Sequence, residues 1–497
     1  MTDKQVRTRF APSPTGELHI GGLRTALTCF LFARKHQGTF LLRSEDTDRT
    51  RLVEGAAKRQ IQDMLWAGLD IDEGVVLDEN GELTQRGDYG PYIQSERLDI
   101  YKKYVDKLLE NNQAYHCFCT PERLKDMREI QVAQKMPPKY DRKCLQLTPK
   151  EIKEKIELGD EYVIRLKVPE GKTVFDDLVY GHIEVQNETL DDQIIMKSDG
   201  FPTYHLAVVV DDYLMKISHI FRGAEWIAST PKHVLLYEAL GWKEEMPIFC
   251  HMANILDKNK KKLSKRDGSV SVSDFRKAGY PKEAIINFIA LLGWNPKTQQ
   301  EIFTMNELIE QFDTAKMNKA GGVFDRDRLA WMSKEHIKKM DVDYIYENAL
   351  PFLKEKDYYK NAPKELQSEE YTKKIITVEQ ERLETFNDIG KENQFFFKEI
   401  EQVDKELLRW KENTDEQTLE VLQKAKSVLE QIEAKDWTRE NLEKILMETA
   451  GDKRGDFLWP LRASLTAQKR SPSPFDCAWV FGKDESLKRI QKAIDVL

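Results

Sequence analysis

Two separated segments of this sequence carry residue types suited to phosphate chemistry. The first, RFAPSPTGELHIGG at residues 9–22, has glycines at Gly16, Gly21 and Gly22, and His19 lies just ahead of an apolar stretch. A strand that turns into a helix presents backbone N–H groups to a phosphate, and small residues let the phosphate approach. His19 is placed to donate to a phosphate oxygen as charge builds during displacement at phosphorus. Taken alone, such a turn is more often an ordinary strand-to-helix connection.

The second segment is a lysine-rich loop, KKKLSKRDG at residues 260–268. Ser264 lies between Lys262 and Lys265, and Arg266 follows. Flexible ammonium groups on such a loop can close over a triphosphate and neutralise the charge of departing pyrophosphate. A solvated basic loop is the usual alternative for a run of this kind.

The first segment lies at the start of a predicted βαβ unit. Residues 6–10 read as a strand, and residues 23–33 form an apolar-rich run with helical spacing. A second strand at residues 39–43 ends in acidic residues that include Glu45, and a helix is predicted at residues 56–67. Groups just past the carboxyl ends of such strands line the ligand crevice of an open α/β sheet.

Farther along, the pattern changes twice. Residues 115–199 contain short β-rich pieces, with a hairpin near Tyr180, and this region reads as an insertion. An apolar run at residues 203–210 predicts a buried parallel strand that ends in two acids, Asp211 and Asp212. A helix follows with Thr230 as its predicted N-cap. Beyond residue 340, the abundance of Glu, Lys, Leu and Ile predicts an all-helical region.

Composition limits the classes of protein to consider. A chain of 497 residues, 40% apolar and 33% charged, is too long for one core and predicts several folded domains. The net charge of -8 means that any contact with RNA needs a local basic face. No apolar leader or bilayer-length apolar segment is present, and the six cysteines do not form a disulfide pattern. We therefore expect a cytoplasmic protein with reduced thiols and no membrane association.

Together the two segments resemble the paired signatures of class I aminoacyl-tRNA synthetases. HIGG at residues 19–22 stands where that class has His-Ile-Gly-His, and KLSKR at residues 262–266 stands where it has Lys-Met-Ser-Lys-Ser. Further segments resemble glutamyl-tRNA synthetase of the bacterial type: RFAPSPTG, RSEDTDR, GPYIQSERLDIY, KSDGFPTYHLA and FRGAEW. This resemblance covers nearly all of the chain up to about residue 340. Gly22 removes the second histidine of the motif, so its role must fall to His19, the helix N-terminus and Lys265.

The resemblance implies an α/β fold: a Rossmann-type parallel-sheet catalytic domain with a mixed α/β insertion and an all-α C-terminal region. The expected divisions are residues 1–103 and 204–250 for the two halves of the catalytic domain and 104–203 for the insertion that binds the acceptor stem. Residues 251–340 would form a stem-contact region with the lysine loop, and residues 341–497 the anticodon-binding domain.

The resemblance also assigns roles to residues of this sequence. The expected glutamate-binding residues are Arg9, Ala11, Ser13, Glu45, Tyr204 and Arg222. The expected ATP-binding residues are Pro12, Gly16, His19, Gly21, Gly22, Glu225, Ile255, Lys262, Ser264, Lys265 and Arg266. The expected catalytic residues are His19, Lys262 and Lys265.

The implied reaction joins L-glutamate to tRNA(Glu) in two steps. The glutamate α-carboxylate attacks the α-phosphorus of ATP, bound with Mg²⁺, and the terminal tRNA adenosine then attacks the adenylate. No side chain is assigned as a general base, because positioning and charge stabilisation supply most of the help. A monomer is expected.

A possible metal site arises from three cysteines. Some relatives bind zinc through a Cys-x-Cys pair and later ligands, and here Cys117, Cys119, Tyr140 and Cys144 occupy such a place. Gln146 stands where a Cys-x-His pair would have histidine. Three reduced thiols are the favoured interpretation, and structural zinc is the alternative.

Other functions remain open at this point. The enzyme could also charge tRNA(Gln), and a catalytically silent tRNA-binding paralogue is a non-enzymatic alternative, although His19, Glu45 and Lys265 are all retained. A glutaminyl-tRNA synthetase would carry C-terminal β-barrels in place of helices. A small-molecule nucleotidyltransferase would need neither the insertion nor the helical tail.

Overall fold

The computed structural model describes residues 5–263 and 270–497. The chain divides into two compact units: unit 1 comprises Met1–Phe275 and Ile285–Asp325, and unit 2 comprises Arg276–Ala284 and Arg326–Leu497. Each unit is therefore built from segments that are discontinuous in sequence. Among the described residues, no helix is both long and apolar enough to cross a bilayer.

The described strands all lie in unit 1. They are β1 (Arg7–Phe10), β2 (Thr39–Leu42), β3 (Glu73–Leu77), β4 (Leu83–Arg86), β5 (Ala114–Cys117), β6 (Val163–Leu166), β7 (Lys172–Asp177), β8 (Gly181–Gln186), β9 (Ile194–Met196), β10 (His219–Gly223), β11 (Ile248–Met252), β12 (Ile255–Leu256) and β13 (Gly322–Val323).

The described α-helices are distributed over both units. They are α1 (Ile20–Lys35), α2 (Ala56–Trp66), α3 (Leu98–Glu110), α4 (Pro121–Ala133), α5 (Pro149–Glu157), α6 (Tyr204–Leu214), α7 (Thr230–Ala239), α8 (Val272–Ala278), α9 (Lys282–Leu291), α10 (Met305–Gln311), α11 (Arg326–Ile337), α12 (Val342–Leu353), α13 (Asp357–Lys360), α14 (Glu369–Glu379), α15 (Lys405–Leu408), α16 (Asp415–Glu430), α17 (Arg439–Ala450), α18 (Arg454–Thr466) and α19 (Pro474–Ile494).

A sheet of eight strands forms the centre of unit 1, in the order β4–β3–β2–β1–β10–β11–β7–β8. The six inner strands run parallel, and β4 and β8 pair antiparallel at the two edges. Every residue of β1 is buried, as expected for a parallel strand with both faces covered. The predicted α/β fold with a Rossmann-type parallel sheet is confirmed.

Helix α1 follows β1 and packs on the central strands β1, β2 and β10. Its buried residues Leu23, Leu27 and Leu31 recur at helical spacing, which is why this stretch forms a helix that lies on the sheet. His19 occupies the N-cap position with an extended backbone. The predicted strand, turn and helix at the start of the chain are therefore confirmed.

The predicted strand at residues 203–210 is wrong. Thr203 is the N-cap of helix α6, and the helix carries Asp211 and Asp212 into the interior. Residues 206–210 are all buried, so the run has no exposed face that would reveal a helical period. A short apolar run of this kind looks the same whether it forms a buried strand or a buried helix.

The predicted hairpin near Tyr180 is confirmed as β7 and β8, joined at Gly181, which has φ 78°. Strand β7 lies parallel to β11, so the hairpin extends the main sheet. Strands β5, β6 and β9 form a separate antiparallel sheet. The β-rich segment between residues 115 and 199 therefore contributes strands to two sheets.

Helix α7 differs from its prediction at its first residue. Ser229 occupies the N-cap position, and Thr230, the predicted N-cap, lies inside the helix and is fully buried. The Thr230 hydroxyl donates to the carbonyl of Trp226 and accepts a hydrogen bond from Arg222. The Thr230 side chain therefore accepts a hydrogen bond from the buried Arg222, and no described side chain caps the start of the helix.

The described residues of unit 2 form helices and no strand, which confirms the predicted all-helical C-terminal region. Its core includes Phe396, Leu422, Leu446 and Leu461, all of them fully buried. Because these side chains come from separate helices, their burial holds the unit together.

A buried carboxylate, Glu379, lies in this core. Its Oε2 accepts a hydrogen bond from the backbone N–H of Gly390 at 2.8 Å, and its Oε1 accepts one from Asn393 at 2.6 Å. Burial nevertheless raises the pKa of Glu379 to about 7. In the unfolded chain the group would have its ordinary pKa near 4.5, so between these values the folded state binds the additional proton.

Glu379 should make unit 2 less stable as the pH rises. The stabilisation of the folded state by the protonated form of Glu379 is fully present below pH 4.5 and is lost as the pH rises through about 7. Relative to Glu379→Gln, the wild-type protein should lose roughly 3 kcal/mol of local stability between pH 4 and pH 8. Hydrogen exchange of peptides covering residues 369–397, corrected for intrinsic rates, measures this difference. The exposed Glu381→Gln variant should follow the wild type; equal slopes for Glu379→Gln and wild type would contradict the assignment.

Candidate active site

An open cavity of about 890 Å³ lies at the carboxyl ends of β1 and β10, where the strand order of the sheet reverses. The predicted site residues that line it are Arg9, Ala11, Ser13, His19, Gly21, Gly22, Glu45, Tyr204, Arg222, Glu225, Ile255 and Lys262. Pro12 and Gly16 belong to the same turn but do not line the wall. Ser264, Lys265 and Arg266 lie outside the described residues.

The opening turn directs His19 and the start of α1 at the cavity. The Nδ1 atom of His19 accepts a hydrogen bond from the backbone N–H of Gly21 at 3.1 Å. A neutral ring with Nδ1 as acceptor carries its proton on Nε2. Gly16 has φ 147°, a conformation that glycine adopts without strain.

Gly22 is explained by the packing beneath the turn. A Cβ atom at this position would lie 3.0 Å from Cδ1 of Leu18 and 3.6 Å from Cζ of Phe10. Leu18 is only 3% exposed, so a larger side chain would have to displace a core residue. His19 is therefore the single imidazole that this motif contributes.

Positive charge lies on the cavity wall near Glu225. Lys262 donates to the Glu225 carboxylate at 2.6 Å, and both side chains are exposed. Arg24, on α1, is buried and donates to the carbonyl of Ala253. Burial lowers the pKa of Arg24 to about 10 and Glu225 opposes this shift, so the guanidinium remains charged at neutral pH. Arg24 was not predicted as a site residue; its one signal in the sequence was an arginine within an apolar helix.

A cluster of buried ion pairs supports the other part of the cavity. Arg9 contacts Asp212 through two hydrogen bonds, of 2.9 and 3.1 Å, and Arg43 contacts the same carboxylate at 2.8 Å. Arg43 also donates to Glu45 at 2.9 Å. Each of these side chains is at most 9% exposed. Asp212 was predicted only as an acid at the end of a strand; its ion pairs were not predicted, because the residues of α6 were assigned to a strand.

A second carboxylate of α6 anchors the surrounding elements. Asp211 accepts hydrogen bonds from Arg97 at 2.7 Å, from Gln94 at 2.9 Å and from the Tyr101 hydroxyl at 2.9 Å. Arg97 and Tyr101 are almost fully buried. Asp211 thus connects α6 to α3 and to the segment just before it.

The pKa values in the cluster follow from burial and pairing. Burial raises the pKa of Glu45, although Arg43 and Arg9 oppose the shift. For Asp212, burial acts in the same upward direction, but the two guanidinium groups outweigh it and hold its pKa below the ordinary value. Asp212 is therefore ionised. For Glu45, whose pKa is raised, a nearby cation would favour the ionised form.

Arg222 is a buried cation whose partners are neutral. Its Nε donates to Nε2 of His251 at 3.0 Å, its Nη1 to Nδ1 of His233 at 3.1 Å, and its Nη2 to Thr230 at 2.8 Å. Tyr204 OH lies 3.4 Å from Nη1. Among the described residues, no carboxylate lies within ion-pair distance of Arg222, which is 5% exposed.

The imidazoles beside Arg222 are uncharged. Burial lowers the pKa of His233 well below its usual range, and Arg222 and His205 act in the same direction. Burial also lowers the pKa of His251, although its hydrogen bond to Asp177 opposes the shift. Neutral imidazoles accept hydrogen bonds without cancelling charge, so the positive charge of Arg222 remains available to a ligand.

Tyr204 and Trp226 form an aromatic part of the wall. Their ring centroids lie 4.5 Å apart, and burial raises the pKa of the Tyr204 hydroxyl, so it stays protonated and can donate. Ser13 lines the same cavity from the opening turn. These groups add neutral donors and apolar surface to a site made mainly of charges.

The charges on the cavity wall suit a ligand that carries groups of both signs. Arg222 has no carboxylate within ion-pair distance among the described residues, so its guanidinium can bind an anionic group of a ligand. Glu45 at the cavity surface in addition provides an acceptor for an ammonium group.

Apart from this cavity, the structure brings three cysteines of unit 1 together. The Sγ atoms of Cys117, Cys119 and Cys144 lie within 4.8 Å of one another. The Tyr140 hydroxyl lies 3.3 Å from Cys117 Sγ and 3.4 Å from Cys119 Sγ. This grouping has the donor types of a tetrahedral zinc site.

Comparison with known proteins agrees with this geometry. The family model for tRNA synthetases class I (E and Q), catalytic domain, matches residues 5–331, and a model for an anticodon binding domain matches residues 344–494. A glutamate-tRNA ligase of Clostridioides difficile (strain 630) is 51% identical over 79% of each chain, and one of Alkaliphilus metalliredigens (strain QYMF) is 46% identical over 98% of each. The crystal structure of a glutamate tRNA ligase from Elizabethkingia meningosepticum, in complex with its amino acid, has a TM-score of 0.85 at 35% identity, over 99% of this chain and 100% of that one. The chain therefore belongs to the class I tRNA synthetases, in the family of the glutamate-tRNA ligases.

Proposed function

We propose that this protein activates L-glutamate with ATP and transfers it to the 3′-terminal adenosine of tRNA(Glu). The observation that carries the proposal is the buried Arg222, which has only neutral partners among the described residues. Glutamate at neutral pH has two carboxylates and one ammonium, a net charge of minus one. Glutamine has no net charge and would leave the guanidinium uncompensated.

Each charged group of glutamate has a partner in the cavity. Arg222 binds one carboxylate, and Tyr204 adds a hydroxyl donor beside it. Arg9 has Nη1 available for the other carboxylate, because Asp212 engages its Nε and Nη2. Glu45 accepts from the ammonium together with Ser13, and this cation favours the ionised form of Glu45.

ATP occupies the part of the cavity between the opening turn and Lys262. The N-terminus of α1 at Gly21 and Gly22 and the Nε2–H of His19 face its phosphates, and Glu225 and Ile255 lie at its adenosine side. ATP enters as its magnesium complex, and the metal spreads the negative charge of the phosphates. The remaining predicted ATP-binding residues are Pro12, Gly16, Ser264, Lys265 and Arg266.

The first step is attack of the glutamate α-carboxylate on the α-phosphorus, with pyrophosphate leaving. His19, Lys262 and Lys265 stabilise the charge that develops on the phosphate oxygens. In the second step the 2′-hydroxyl of the terminal adenosine attacks the carbonyl of the adenylate, and AMP leaves. Since the carboxylate is already a nucleophile, the first step needs no general base.

Partner and compartment are part of the same proposal. We infer that residues 341–497 bind the anticodon, that residues 104–203 bind the acceptor stem, and that the enzyme works as a monomer in the cytoplasm. The six cysteines are all free, which suits a reducing compartment. The same catalytic site would serve an enzyme that also charges tRNA(Gln), so this alternative is separated by the choice of tRNA in an assay.

ATP-pyrophosphate exchange with glutamate and with glutamine, each with and without tRNA(Glu) and tRNA(Gln), tests the proposal directly. Exchange should occur with glutamate and not with glutamine. Arg222→Gln should raise the KM for glutamate roughly thirtyfold or more, because the bound carboxylate of glutamate loses its cationic partner. Arg34→Gln, a change on α1 outside the cavity, should leave the KM unchanged. Equal exchange with glutamine, or an unchanged KM in Arg222→Gln, would contradict the assignment.

The lysine loop provides a second test. Lys265→Ala should slow adenylate formation roughly a hundredfold while changing the KM for glutamate less than threefold, because its charge meets the leaving group. Single-turnover measurement of adenylate formation separates these effects. Lys258→Ala, a nearby exposed lysine, is the matched control. An undiminished rate in Lys265→Ala would exclude its catalytic role.

The sequence favoured three reduced thiols over zinc, but because the three Sγ atoms lie close together we further propose that the thiol cluster holds a structural zinc ion. Cys117, Cys119 and Cys144 would supply three thiolates, and the Tyr140 oxygen completes the set. A hydrogen bond with Cys144 lowers the pKa of Cys117 against the effect of burial, and hydrogen bonds with Tyr140 and Arg165 act in the same direction as Cys144. Such an ion would cross-link the β5 end to the segment at residues 140–144.

Metal analysis of protein purified without chelators should find about one zinc per chain. Cys144→Ser should lower the zinc content and the unfolding temperature together, since structural zinc contributes directly to folding. Cys477→Ser removes a buried thiol in unit 2 and should keep the zinc. A wild-type protein without zinc would establish the cluster as reduced thiols.

A further inference from the structure

Asp177 is a buried carboxylate that the proposed catalytic roles do not use. It is the last residue of β7, in the hairpin that joins the main sheet beside β11, and its side chain is fully buried. Its Oδ1 accepts hydrogen bonds from the backbone N–H groups of Val179 and Tyr180, both at 2.9 Å. Its Oδ2 accepts from the backbone N–H of His251 at 3.0 Å and from its Nδ1 at 2.6 Å. One oxygen therefore shapes the turn, and the other serves His251.

This contact determines the tautomer of His251. Burial acts to raise the pKa of Asp177, but the hydrogen bonds from His251, Tyr180 and Val179 hold it below its ordinary value, so the group is ionised. An ionised carboxylate only accepts hydrogen bonds, which requires the His251 proton on Nδ1. The lone pair of Nε2 then accepts the hydrogen bond from Arg222 Nε at 3.0 Å. A continuous chain of three side chains thus runs from the hairpin to the cavity.

The orientation of Arg222 depends on this acceptor. Arg222 and His251 are neighbours in the register of β10 and β11, so the contact is set by the sheet. If the proton moved to Nε2, two N–H groups would face each other and the guanidinium would have to turn. The other partners of Arg222 contact only its Nη atoms: His233 and Tyr204 accept from Nη1, and Thr230 accepts from Nη2, which keeps one hydrogen for a ligand.

We propose that Asp177 and His251 are positioning residues for amino-acid selection: by fixing Arg222 they make the site favour a side-chain carboxylate over an amide. This inference rests on the proposed role of Arg222 in glutamate binding. Glutamate and glutamine have nearly the same shape, so selection must come from charge and hydrogen-bond polarity. A guanidinium held in one orientation donates to carboxylate oxygens, whereas an amide NH₂ in that place meets another donor.

Asp177→Asn is the informative change, because it keeps an oxygen for the turn and removes the ionic acceptor that fixes the His251 tautomer. In exchange assays with the full-length protein, it should raise the KM for glutamate roughly tenfold and lower the preference for glutamate over glutamine by a similar factor. The KM for ATP should change less than about twofold, since the phosphate side of the cavity is untouched. Asp176→Asn, an exposed neighbour on the same strand, is the matched control.

His251→Gln separates positioning from a structural role. Its amide offers an oxygen to Arg222 without needing a tautomer, so it should retain much of the preference for glutamate. Adding Asp177→Asn to this variant should then change the preference for glutamate less than about threefold, because substitutions within one hydrogen-bonded chain of side chains have non-additive effects. A structural role for Asp177 would instead produce the full loss in both backgrounds and lower the thermal stability equally.

The result for Arg222→Gln distinguishes the two levels of failure. If that variant binds glutamate as the wild type does, the proposed function of Arg222 falls and this inference falls with it. If Arg222→Gln loses glutamate binding while Asp177→Asn keeps both the KM and the preference, the positioning role alone is overturned. Loss of preference in Asp177→Asn with an unchanged KM for ATP supports it.

Discussion

The burial of Asp212 between two guanidinium groups is the constraint on which the site in unit 1 depends. Removing a carboxylate from water costs several kcal/mol, roughly, and only close cations with good hydrogen bonds offset that cost. Asp212 comes from α6, Arg9 from β1, and Arg43 from the residue after β2. These elements therefore have to meet in one arrangement before the charges are satisfied, and that arrangement fixes Arg9 and Glu45 at the cavity before a ligand arrives.

The same rule explains why Arg222 has neutral partners. A carboxylate beside Arg222 would stabilise the protein without ligand, but it would also compete with the substrate for the guanidinium. His251, His233 and Thr230 satisfy its N–H groups without cancelling its charge. In the proposed role of Arg222, the electrostatic cost of burying a cation without a direct carboxylate partner is relieved when glutamate binds.

Site residues that lie next to a predicted strand could be predicted from the sequence, whereas contacts between residues distant in sequence could not. His19 and Glu45 follow strands in sequence, so local pattern placed them at the crevice. Asp212 was recognised as an acid, but its ion pairs were not predicted, because the buried stretch at residues 206–212 of α6 shows no helical period. Asp177 and His251 are 74 residues apart, and no local signal indicates that a hairpin would join the sheet beside β11. The family resemblance supplied Arg222, yet only the structure shows that its partners are uncharged.

The two parts of the cavity use charge in different ways, and the difference follows from what each must do. Arg9 and Arg222 are buried and held by several hydrogen bonds each, which suits recognition of a small rigid pattern of charges. Lys262 is 60% exposed, and within the described part of the chain it pairs with the carboxylate of Glu225. An exposed pair of this kind contributes roughly 0 to 1 kcal/mol, so Lys262 can exchange Glu225 for a phosphate at little cost. In the proposed reaction pyrophosphate must leave after every turnover, so exposed, replaceable cations suit the phosphates and fixed, buried cations suit the amino acid.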